Sequence, residues 1–317
     1  MTNHTQKTWI VWGGAGYLGN EVCWALLRRG YKVRCYDNFH KGQADHLFNL
    51  IGHPDFEFKE LNITRKEHCD ESVIGADYVL NFAGIVGFPS CRRSPILSEA
   101  VNVGGAANLV ESLNKYNDNI PLYYSATGSS YGKIDGVCTE ESPLNPLTEY
   151  GIHKMIGEQE TLKYKSGLVY RLATIMGVSG QNRINLLVNN LVYDAHHNRY
   201  ISVAEPDCKR TFLDIRDETR GVIMGMENFD RINYRLYNLG DNRLNYSKRD
   251  IAEKIREKTK CAVFYDDFMT DCDKRDYSCN YSRIKTDLGF EAKYTLDDTI
   301  DSLLKAVPLI QIKHQYA

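Results

Sequence analysis

The sequence predicts an α/β fold in which a doubly wound parallel sheet is followed by a smaller C-terminal domain. Three observations favour this fold class. Short apolar runs alternate with helical patterns in the first half, a glycine-rich segment joins the first run to the first helix, and the second half is less regular. With 317 residues, 43% of them apolar, the chain is long enough for about two domains.

Six apolar runs have the length of strands, and helical patterns lie between several of them. The strands are expected at residues 8–12, 32–36, 56–61, 77–82, 122–124 and 167–175. The helices cover residues 20–29, 97–116 and 149–164, and Gly30 ends the first of them. Strands that alternate with helices indicate βαβ units, whose parallel sheet is covered on both faces.

The second half predicts a smaller and more mixed domain. Helices are expected at residues 186–195, 219–227, 247–258 and 297–304, with Ser247 as the N-cap of the third, and strands at 210–213 and 235–239. We expect the first domain to span residues 1–177, with segments near 210–240 returning to its sheet. Residues 178–317 then form the main part of the second domain.

Composition and charge exclude several classes of protein. The 39 basic and 41 acidic residues give a net charge of −2, which gives no support to nucleic-acid binding. No run approaches the roughly 20 apolar residues that cross a bilayer, so we expect no membrane association. The nine cysteines are odd in number and contain no CxxC pair, which favours reduced thiols in the cytoplasm and no metal site.

The segment WIVWGGAGYLG carries the first candidate site. Its glycines Gly13, Gly16 and Gly19 follow a predicted strand and open a predicted helix, and the acidic Asp37 ends the second strand. Glycines at this spacing let the backbone approach a pyrophosphate at a helix N-terminus, and the carboxylate accepts bonds from ribose hydroxyls. Because a carboxylate repels a 2′-phosphate, NAD is favoured over NADP. The alternative is a glycine-rich turn without a ligand.

The second candidate site is the YxxxK pair of Tyr150 and Lys154. Their i, i+4 spacing on a predicted helix puts both side chains on one face. A nearby ammonium lowers the pKa of a phenol from its usual value near ~10, so that Tyr150 becomes a base for a hydroxyl group while hydride leaves the same carbon for NAD. The alternative is two surface residues on a helix.

These motifs together resemble the extended short-chain dehydrogenase/reductase family, an NAD-dependent group of nucleotide-sugar epimerases and dehydratases in which UDP-galactose 4-epimerase is the reference case. The similar segments are GGAGYLG at 13–19, YDN at 36–38, NFAG at 81–84, VNVGGAANLVES at 101–112, YGIHK at 150–154, RTFLDIRD at 210–217, YNLG at 237–240 and DLGF at 287–290. The resemblance implies a Rossmann-type NAD-binding domain and a C-terminal domain that binds a nucleoside diphosphate sugar.

The resemblance also implies roles for individual residues. Tyr150 is the base, Lys154 holds the nicotinamide ribose, and Thr127 hydrogen-bonds the sugar O4 and relays its proton. The residues implied in cofactor binding are Gly13, Gly16, Tyr17, Leu18, Gly19, Asp37, Asn38, Asn62, Ile63, Phe82, Ala83, Gly84, Asn102, Tyr150 and Lys154. Those implied in substrate binding are Thr127, Ser129, Asn185, Arg210 and Arg275. For the diphosphate residues, a solvated surface position is the alternative.

The two residues directly after Thr127 narrow the choice of reaction. A 4,6-dehydratase of this family carries an Asp-Glu pair there, whereas this chain has Gly128 and Ser129. We therefore expect a 4-epimerase that passes through a 4-keto intermediate. Segments such as GFPSCRRSP at 87–95 and DKRDY at 273–277 are similar to a branch that includes a bacterial GDP-heptose 4-dehydrogenase, so a dehydrogenase that releases the ketose is the alternative. A catalytically dead NAD-sensing protein is a third possibility.

The resemblance further implies a homodimer. Relatives pair through the helices before and after the fifth strand, which correspond here to residues 97–116 and 149–164. Apolar residues recur at helical spacing in the first of these helices, although burial inside one subunit would produce the same pattern. They are Ala106, Ala107, Leu109, Val110 and Leu113.

Overall fold

A computed structural model of the chain describes residues 6–40, 44–266 and 276–310. Its centre is a sheet of seven strands, all parallel to their neighbours, in the order β11-β7-β5-β4-β1-β2-β3. These strands are β1 (Thr8–Trp12), β2 (Lys32–Asp37), β3 (Phe56–Glu60), β4 (Tyr78–Asn81), β5 (Leu122–Thr127), β7 (Gly167–Leu172) and β11 (Leu236–Leu239). The predicted Rossmann-type fold class is confirmed.

Helices cover both faces of this sheet, which explains the continuous apolar runs of its strands. Along β1, Trp9 and Val11 are buried in the core on one face, and Ile10 and Trp12 are buried in the core on the other. The flanking helices are α1 (Tyr17–Leu27), α2 (Phe48–Ile51), α3 (Lys66–Ser72), α4 (Phe88–Arg93), α5 (Pro95–Glu99), α6 (Gly105–Tyr116), α7 (Glu149–Lys163) and α9 (Ile215–Glu227).

The long helix predicted at residues 97–116 is interrupted. A π-helical segment, Ala100–Gly104, joins α5 to α6 and contains the buried Asn102. The side-chain amide of Asn102 donates to the carbonyl oxygen of Ile85 at 2.9 Å, and its backbone carbonyl accepts from the hydroxyl of Tyr124 at 3.1 Å. Such wide turns recur at functional sites, and this one lies beside the carboxyl ends of β4 and β5.

The remaining strands form three small sheets. The first contains β8 (Thr174–Met176), β10 (Lys209–Asp214) and β12 (Asn245–Ser247); the second pairs β9 (Tyr200–Ala204) with β13 (Ala262–Asp266); the third pairs β6 (Lys133–Cys138) with β14 (Asp276–Cys279). The helices beside them are α8 (Leu187–His197), α10 (Lys248–Thr259), α11 (Ser282–Leu288) and α12 (Leu296–Ala306). Helices α8, α10 and α12 share a separate apolar core.

Several predicted elements differ from the observed ones. The strand predicted at 167–175 is two strands, because the chain leaves the central sheet at Ala173, whose N–H donates to the Leu239 carbonyl oxygen at 3.1 Å. Strands β6, β9, β12, β13 and β14 have no predicted counterpart, because they are short pairs between segments that lie far apart in sequence. Helices α2, α3, α4 and α11 have no predicted counterpart either. The predicted N-cap Ser247 is confirmed, with its hydroxyl accepting from the N–H of Asp250 at 3.1 Å.

Three features of the described residues bear on the expectations from the sequence. Strand β11 lies in the central sheet although it follows the segment predicted as the second domain, as expected for the returning part near residues 210–240. The division of the chain at residue 177 stays a prediction. No helix within the described ranges is both long and apolar enough to cross a bilayer. The eight cysteines in those ranges form no disulfide.

Candidate active site

The glycine-rich loop between β1 and α1 is a cradle of close backbone contacts. Gly13 has a φ of +76°, and a Cβ atom there would lie 2.6 Å from the backbone nitrogen of Ala83. A Cβ atom at Gly19 would lie 2.2 Å from the Gly13 carbonyl oxygen. The loop is closed by the N–H of Gly16, which donates to that same oxygen at 3.0 Å. These approaches require glycine, and they turn the chain directly into the first turn of α1.

The start of α1 can accept an anion. The N–H groups of Tyr17, Leu18 and Gly19 belong to the first turn, where helix geometry provides no intrahelical acceptor. The dipole of the 11-residue helix adds positive potential at the same end. The backbone of this loop therefore fits the pyrophosphate of a dinucleotide.

Asp37 stands at the end of β2 and faces the same loop. Its carboxylate accepts from the N–H of Ala15 at 3.1 Å and from the N–H of Phe39 at 2.9 Å. Burial raises the pKa of the Asp37 carboxyl, and these backbone N–H groups counter part of the rise. The carboxylate retains lone pairs for ribose hydroxyls, while the neighbouring Asn38 is exposed and its side-chain oxygen accepts from the His40 N–H at 3.2 Å.

The segment after β4 forms the opposite wall of the cradle. The N–H of Phe82 donates to the carbonyl oxygen of Trp12 at 2.9 Å, which places Phe82, Ala83 and Gly84 beside the glycine-rich loop. The side-chain oxygen of Asn102 lies against Gly84, 2.8 Å from where a Cβ atom would stand. Since the strand order reverses between β1 and β4, this crevice is the place where doubly wound folds bind ligands.

Asn62 and Ile63, the predicted adenine contacts, lie just beyond β3. The side-chain oxygen of Asn62 already accepts from the N–H of Thr64 at 3.0 Å and from its hydroxyl at 2.9 Å. Accepting a bond from adenine would therefore replace one of these two. Ile63 is buried against Gly105, where a Cβ atom would lie 2.9 Å from its Cγ2. The contact of both residues with adenine stays a prediction.

The predicted catalytic pair, Tyr150 and Lys154, lies in the first turns of α7. The hydroxyl of Thr148 caps this helix by accepting from the Gly151 N–H at 3.2 Å. The i, i+4 spacing places Tyr150 and Lys154 on one face of the helix. Lys154 is only 3% exposed, and its ammonium lies 4.0 Å from the ring centroid of Tyr124 on β5. Burial lowers the pKa of Lys154 from 10.5 to about 7.

Thr127 ends β5 and is held close to the start of α7. Its hydroxyl donates to the Ser129 hydroxyl at 2.9 Å and accepts from the Ser129 N–H at 3.1 Å. The turn after it contacts α7, since the Ser130 hydroxyl donates to the Gly151 carbonyl oxygen at 3.4 Å. Thr127 and Ser129 are both buried. The fold thus brings the predicted hydroxyl and the YxxxK helix to one edge of the sheet.

The predicted diphosphate residues have different environments. Asn185 is exposed at the end of the segment between β8 and α8. Arg210 on β10 is buried, and its guanidinium donates to the Lys209 carbonyl oxygen at 2.9 Å. Arg275 lies outside the described residues. Among the residues that the structure describes, no cluster of His, Cys, Asp or Glu has the composition of a metal site.

The sequence of this chain matches one family model over most of its length. Residues 9–240 match the model described as the NAD dependent epimerase/dehydratase family. The chain belongs to this family. The match confirms the predicted resemblance, the predicted enzyme class and NAD as the cofactor. The glycine cradle, the first turn of α1 and Asp37 are the parts of the structure that fit this cofactor.

Individual relatives fall within the same group. The UDP-glucose 4-epimerase of Bacillus subtilis is 31% identical over 47% of this chain and 45% of its own length. Alignments to four further sequence relatives span 38% to 57% of the length of each of those proteins. The chain therefore covers about half the length of these relatives.

Solved structures of the family share the fold at low identity. The UDP-Glc/GlcNAc 4-epimerase of Campylobacter jejuni superposes with a TM-score of 0.82 at 19% identity, covering 96% of this chain and all of that one. The dTDP-glucose 4,6-dehydratase of Bacillus anthracis, solved with NAD, superposes with a TM-score of 0.84 at 21% identity and 98% coverage of both chains. Since epimerases and dehydratases match equally well, this likeness does not choose between their reactions.

Two features next to the site are not predicted from the sequence. The first is Tyr124, whose ring lies under the Lys154 ammonium and whose hydroxyl lies where a side chain at Gly157 would be. The second is the buried ion pair of Glu158 on α7 and Arg171 on β7, with a nitrogen–oxygen distance of 2.6 Å. For Tyr124, its place in the fifth strand before Thr127 was a usable signal; the ion pair had none, because its members lie on separate elements.

Proposed function

We propose that this chain is a nucleotide-sugar 4-epimerase, which oxidises the C4 hydroxyl of the sugar and then reduces the ketone from the opposite face. The observation that carries the proposal is the buried Lys154 on the same helix face as Tyr150, next to the end of β5 that presents Thr127. NAD supplies the hydride acceptor when it is bound. The protein's own residues handle the proton of the hydroxyl group.

Tyr150 takes the proton from the sugar O4 through its phenol oxygen. Lys154 on the adjacent turn favours the phenolate when its ammonium is charged, since an opposite charge lowers the pKa of an acid. Thr127 provides a hydroxyl that both donates and accepts, as it does with Ser129, and so it passes the proton between the O4 atom and Tyr150. The same residues return the proton when the ketone is reduced, because a base in one direction is the acid in the other.

The structure supports epimerisation over dehydration at position 128. A Cβ atom on Gly128 would lie 2.8 Å from the hydroxyl oxygen of Tyr277, which packs there from β14. The space that a carboxylate side chain would need is therefore filled. Ser129, the next residue, is bonded to Thr127 and has a hydroxyl that ionises far above neutral pH. The Thr127 end of β5 thus holds no acid/base pair for the loss of water.

The structure also supports a retained cofactor, which a 4-epimerase needs because the same NAD takes part in both the oxidation and the reduction. The segment after β8 folds back over the start of α1. The hydroxyl of Ser179 donates to the Tyr17 carbonyl oxygen at 2.7 Å, and the Tyr17 hydroxyl donates to the Gly177 carbonyl oxygen at 2.6 Å. His46 adds a third contact, with its Nδ1 atom 3.1 Å from the Gly180 carbonyl oxygen. This segment covers the pyrophosphate end of the cradle.

The test is to mix the protein as purified with UDP-, GDP-, CDP- and dTDP-sugars, and to follow NADH absorbance and the product configuration at C4. A transient NADH signal with a C4-inverted product is expected. Tyr150→Phe should lose at least about 10²-fold in rate, the usual contribution of a general base. Tyr200→Phe, an exposed tyrosine on β9, is the matched control and should keep its rate. Persistent NADH with a released ketose, or full activity of Tyr150→Phe, would contradict the proposal.

We also propose a homodimer formed through α5 and α7, although not through the apolar residues that the helical spacing suggests. Ala106, Leu109, Val110 and Leu113 are buried inside their own subunit, which accounts for their apolar character. On α5 and α7 themselves, Ile96 is 84% exposed and Ile152 is 40% exposed. Sedimentation should show a dimer at micromolar concentration, and Ile96→Lys should shift it toward the monomer. A monomer in the wild type would contradict the proposal.

A further inference from the structure

His153 lies on α7 between the two residues of the predicted catalytic pair, and its ring reaches back to α5. The Nδ1 atom of His153 lies 2.8 Å from the hydroxyl oxygen of Ser98, which is fully buried. The side-chain amide of Asn102, one turn further along, donates to the same hydroxyl oxygen at 3.2 Å. An imidazole on α7 is therefore connected through one hydroxyl group to the π-helical turn that contains Asn102.

The same turn is connected to Lys154 from its other side. The backbone carbonyl oxygen of Asn102 accepts from the hydroxyl of Tyr124 at 3.1 Å, and the Lys154 ammonium lies 4.0 Å from the centroid of the Tyr124 ring. The contacts thus form a closed circuit, which leaves α7 at His153 and returns to α7 at the next residue, Lys154. Such a circuit fixes the turn and the tyrosine ring relative to the helix, because neither can move without breaking a contact.

Close packing at Gly157, one turn after His153 on α7, supports the circuit. A Cβ atom on Gly157 would lie 2.5 Å from the Asn102 carbonyl oxygen and would also overlap the Tyr124 hydroxyl. The hydrogen bond between these two groups therefore lies directly against α7. A shift of the π-helical turn would move this bond, and the Tyr124 ring with it, along the part of the helix that carries Lys154.

The hydroxyl of Ser98 can satisfy both of its neighbours in one way. The Asn102 amide group donates to the Ser98 oxygen, which leaves the hydroxyl hydrogen for His153. Nδ1 of His153 then accepts, and the ring hydrogen lies on Nε2. Without this acceptor, a helical serine turns to the carbonyl oxygen four residues earlier, here that of Ser94, and its oxygen leaves the Asn102 amide.

We infer that His153 and Ser98 are positioning residues for the oxidation step. They hold the turn of Asn102 in place, and through it the position of Lys154 beside Tyr150. This inference rests on the proposed function, because it takes Tyr150 to be the base and Lys154 to be the charge that favours its phenolate. Since the two residues act through packing, their loss should weaken the effect of Lys154 on Tyr150 and leave substrate binding unchanged.

The experiment compares the NAD-containing wild type with His153→Leu, Ser98→Ala and His153→Asn. His153→Asn keeps an acceptor at the δ position for the Ser98 hydroxyl, whereas His153→Leu keeps only the bulk. His197→Leu, which replaces an exposed histidine at the end of α8, is the matched control. Equal thermal unfolding midpoints, NAD content and sedimentation establish that the variants are folded, loaded and assembled alike. His153 is half-buried, so its variants perturb the core less than Ser98→Ala and decide the result.

Two readouts separate positioning from a merely structural role. The first is the ionisation of the Tyr150 phenol, followed by NMR of protein labelled at the tyrosine Cζ atoms, with Tyr150→Phe to assign the signal. It should move to higher pH by about one pH unit or more in His153→Leu and Ser98→Ala, because a displaced ammonium stabilises the phenolate less. The second is turnover of the UDP-, GDP-, CDP- and dTDP-sugars. In the same two variants kcat should fall about 10- to 100-fold while KM stays within about twofold. His153→Asn should recover most of both effects, and His197→Leu should show neither.

Three results overturn the inference. An unchanged Tyr150 ionisation in His153→Leu would show that the circuit does not hold Lys154 in place. A shifted ionisation with an unchanged kcat would show that the oxidation step does not depend on it. Equal losses in His153→Leu and His153→Asn would show that the bond to Ser98 is not what matters.

Failure of the proposed function looks different from these results. The wild type would then convert none of the sugars, or Tyr150→Phe would keep full activity. The ionisation of Tyr150 would still report whether His153 acts on it, because that readout needs no substrate.

Discussion

Lys154 should make the folded protein less stable at neutral pH than a variant that lacks its charge. Burial lowers its pKa from 10.5 to about 7, so the folded state disfavours the ammonium that the unfolded chain carries. At pH 7 this shift corresponds to roughly 4 kcal/mol of lost stability. The contact with the Tyr124 ring returns up to about 2 kcal/mol. Lys154→Met should therefore raise the free energy of unfolding by roughly 2–4 kcal/mol at pH 7.

The sign of the pH dependence is set by the same shift. Between pH 7 and pH 10.5 the unfolded chain holds a proton on Lys154 that the folded protein has released, so the wild type gains stability as the pH rises. The difference between Lys154→Met and the wild type should then shrink by up to about 1.4 kcal/mol per pH unit across this window. Titrating groups that do not interact with Lys154 are common to both proteins and cancel; Glu158 and Cys91 interact with it and cancel only in part.

The assay is urea unfolding of both proteins, freed of nucleotide, at several values between pH 6 and pH 10. Turnover is measured on the same preparations, and Lys154→Met should be inactive although it is more stable. The Lys115→Met variant, in which an exposed lysine of α6 is replaced, serves as the control and should show no such trend. A difference in unfolding free energy that stays constant from pH 7 to pH 10 would refute the reasoning.

Three further predictions concern the positioning of the site and the cofactor. Glu158→Gln should lower the free energy of unfolding, measured with denaturant, by about 3–5 kcal/mol, because it leaves Arg171 as a buried charge without a carboxylate partner. The double replacement Glu158→Met/Arg171→Met should restore most of this loss, and a loss below about 1 kcal/mol in Glu158→Gln would contradict the prediction. Gly19→Ala should abolish retention of NAD, measured in the purified protein, since its Cβ would lie 2.2 Å from a carbonyl oxygen, whereas Gly104→Ala, with open space around it, should keep the cofactor. Asp37→Ala should weaken NAD binding and narrow the preference over NADP in a titration; a wild type that prefers NADP would refute the assignment.

Much of the sheet and the outline of the site could be predicted because their signals are local. The strands near residues 8–12, 32–36 and 56–61 are apolar runs bounded by polar or glycine residues, and the structure has strands there. The glycine motif can be identified from the sequence because a strand, a tight turn and a helix follow one another without interruption. The YxxxK pair can be identified from the sequence because spacing along one helix places the two side chains on one face.

The sequence does not predict strand pairings between residues that are neighbours in the fold but distant along the chain. The run at 167–175 is uniformly apolar, so nothing in it shows that β7 belongs to the central sheet and β8 to another one. The pairing of β6 with β14 joins segments more than 130 residues apart, and both strands are short. The apolar residues of α6 had two explanations from sequence, and packing within the subunit decided between them.

The fold class and the cofactor could be predicted because they depend on residue types at short, regular spacings, and the predicted site residues rest on the same kind of local pattern. The environment of those residues, by contrast, is set by the folded structure. The desolvation of Lys154, its contact with Tyr124 and the hydroxyl of Tyr277 against Gly128 all arise from packing between separate elements. A pKa and a steric exclusion are properties of an environment, and an environment exists only after the chain has folded.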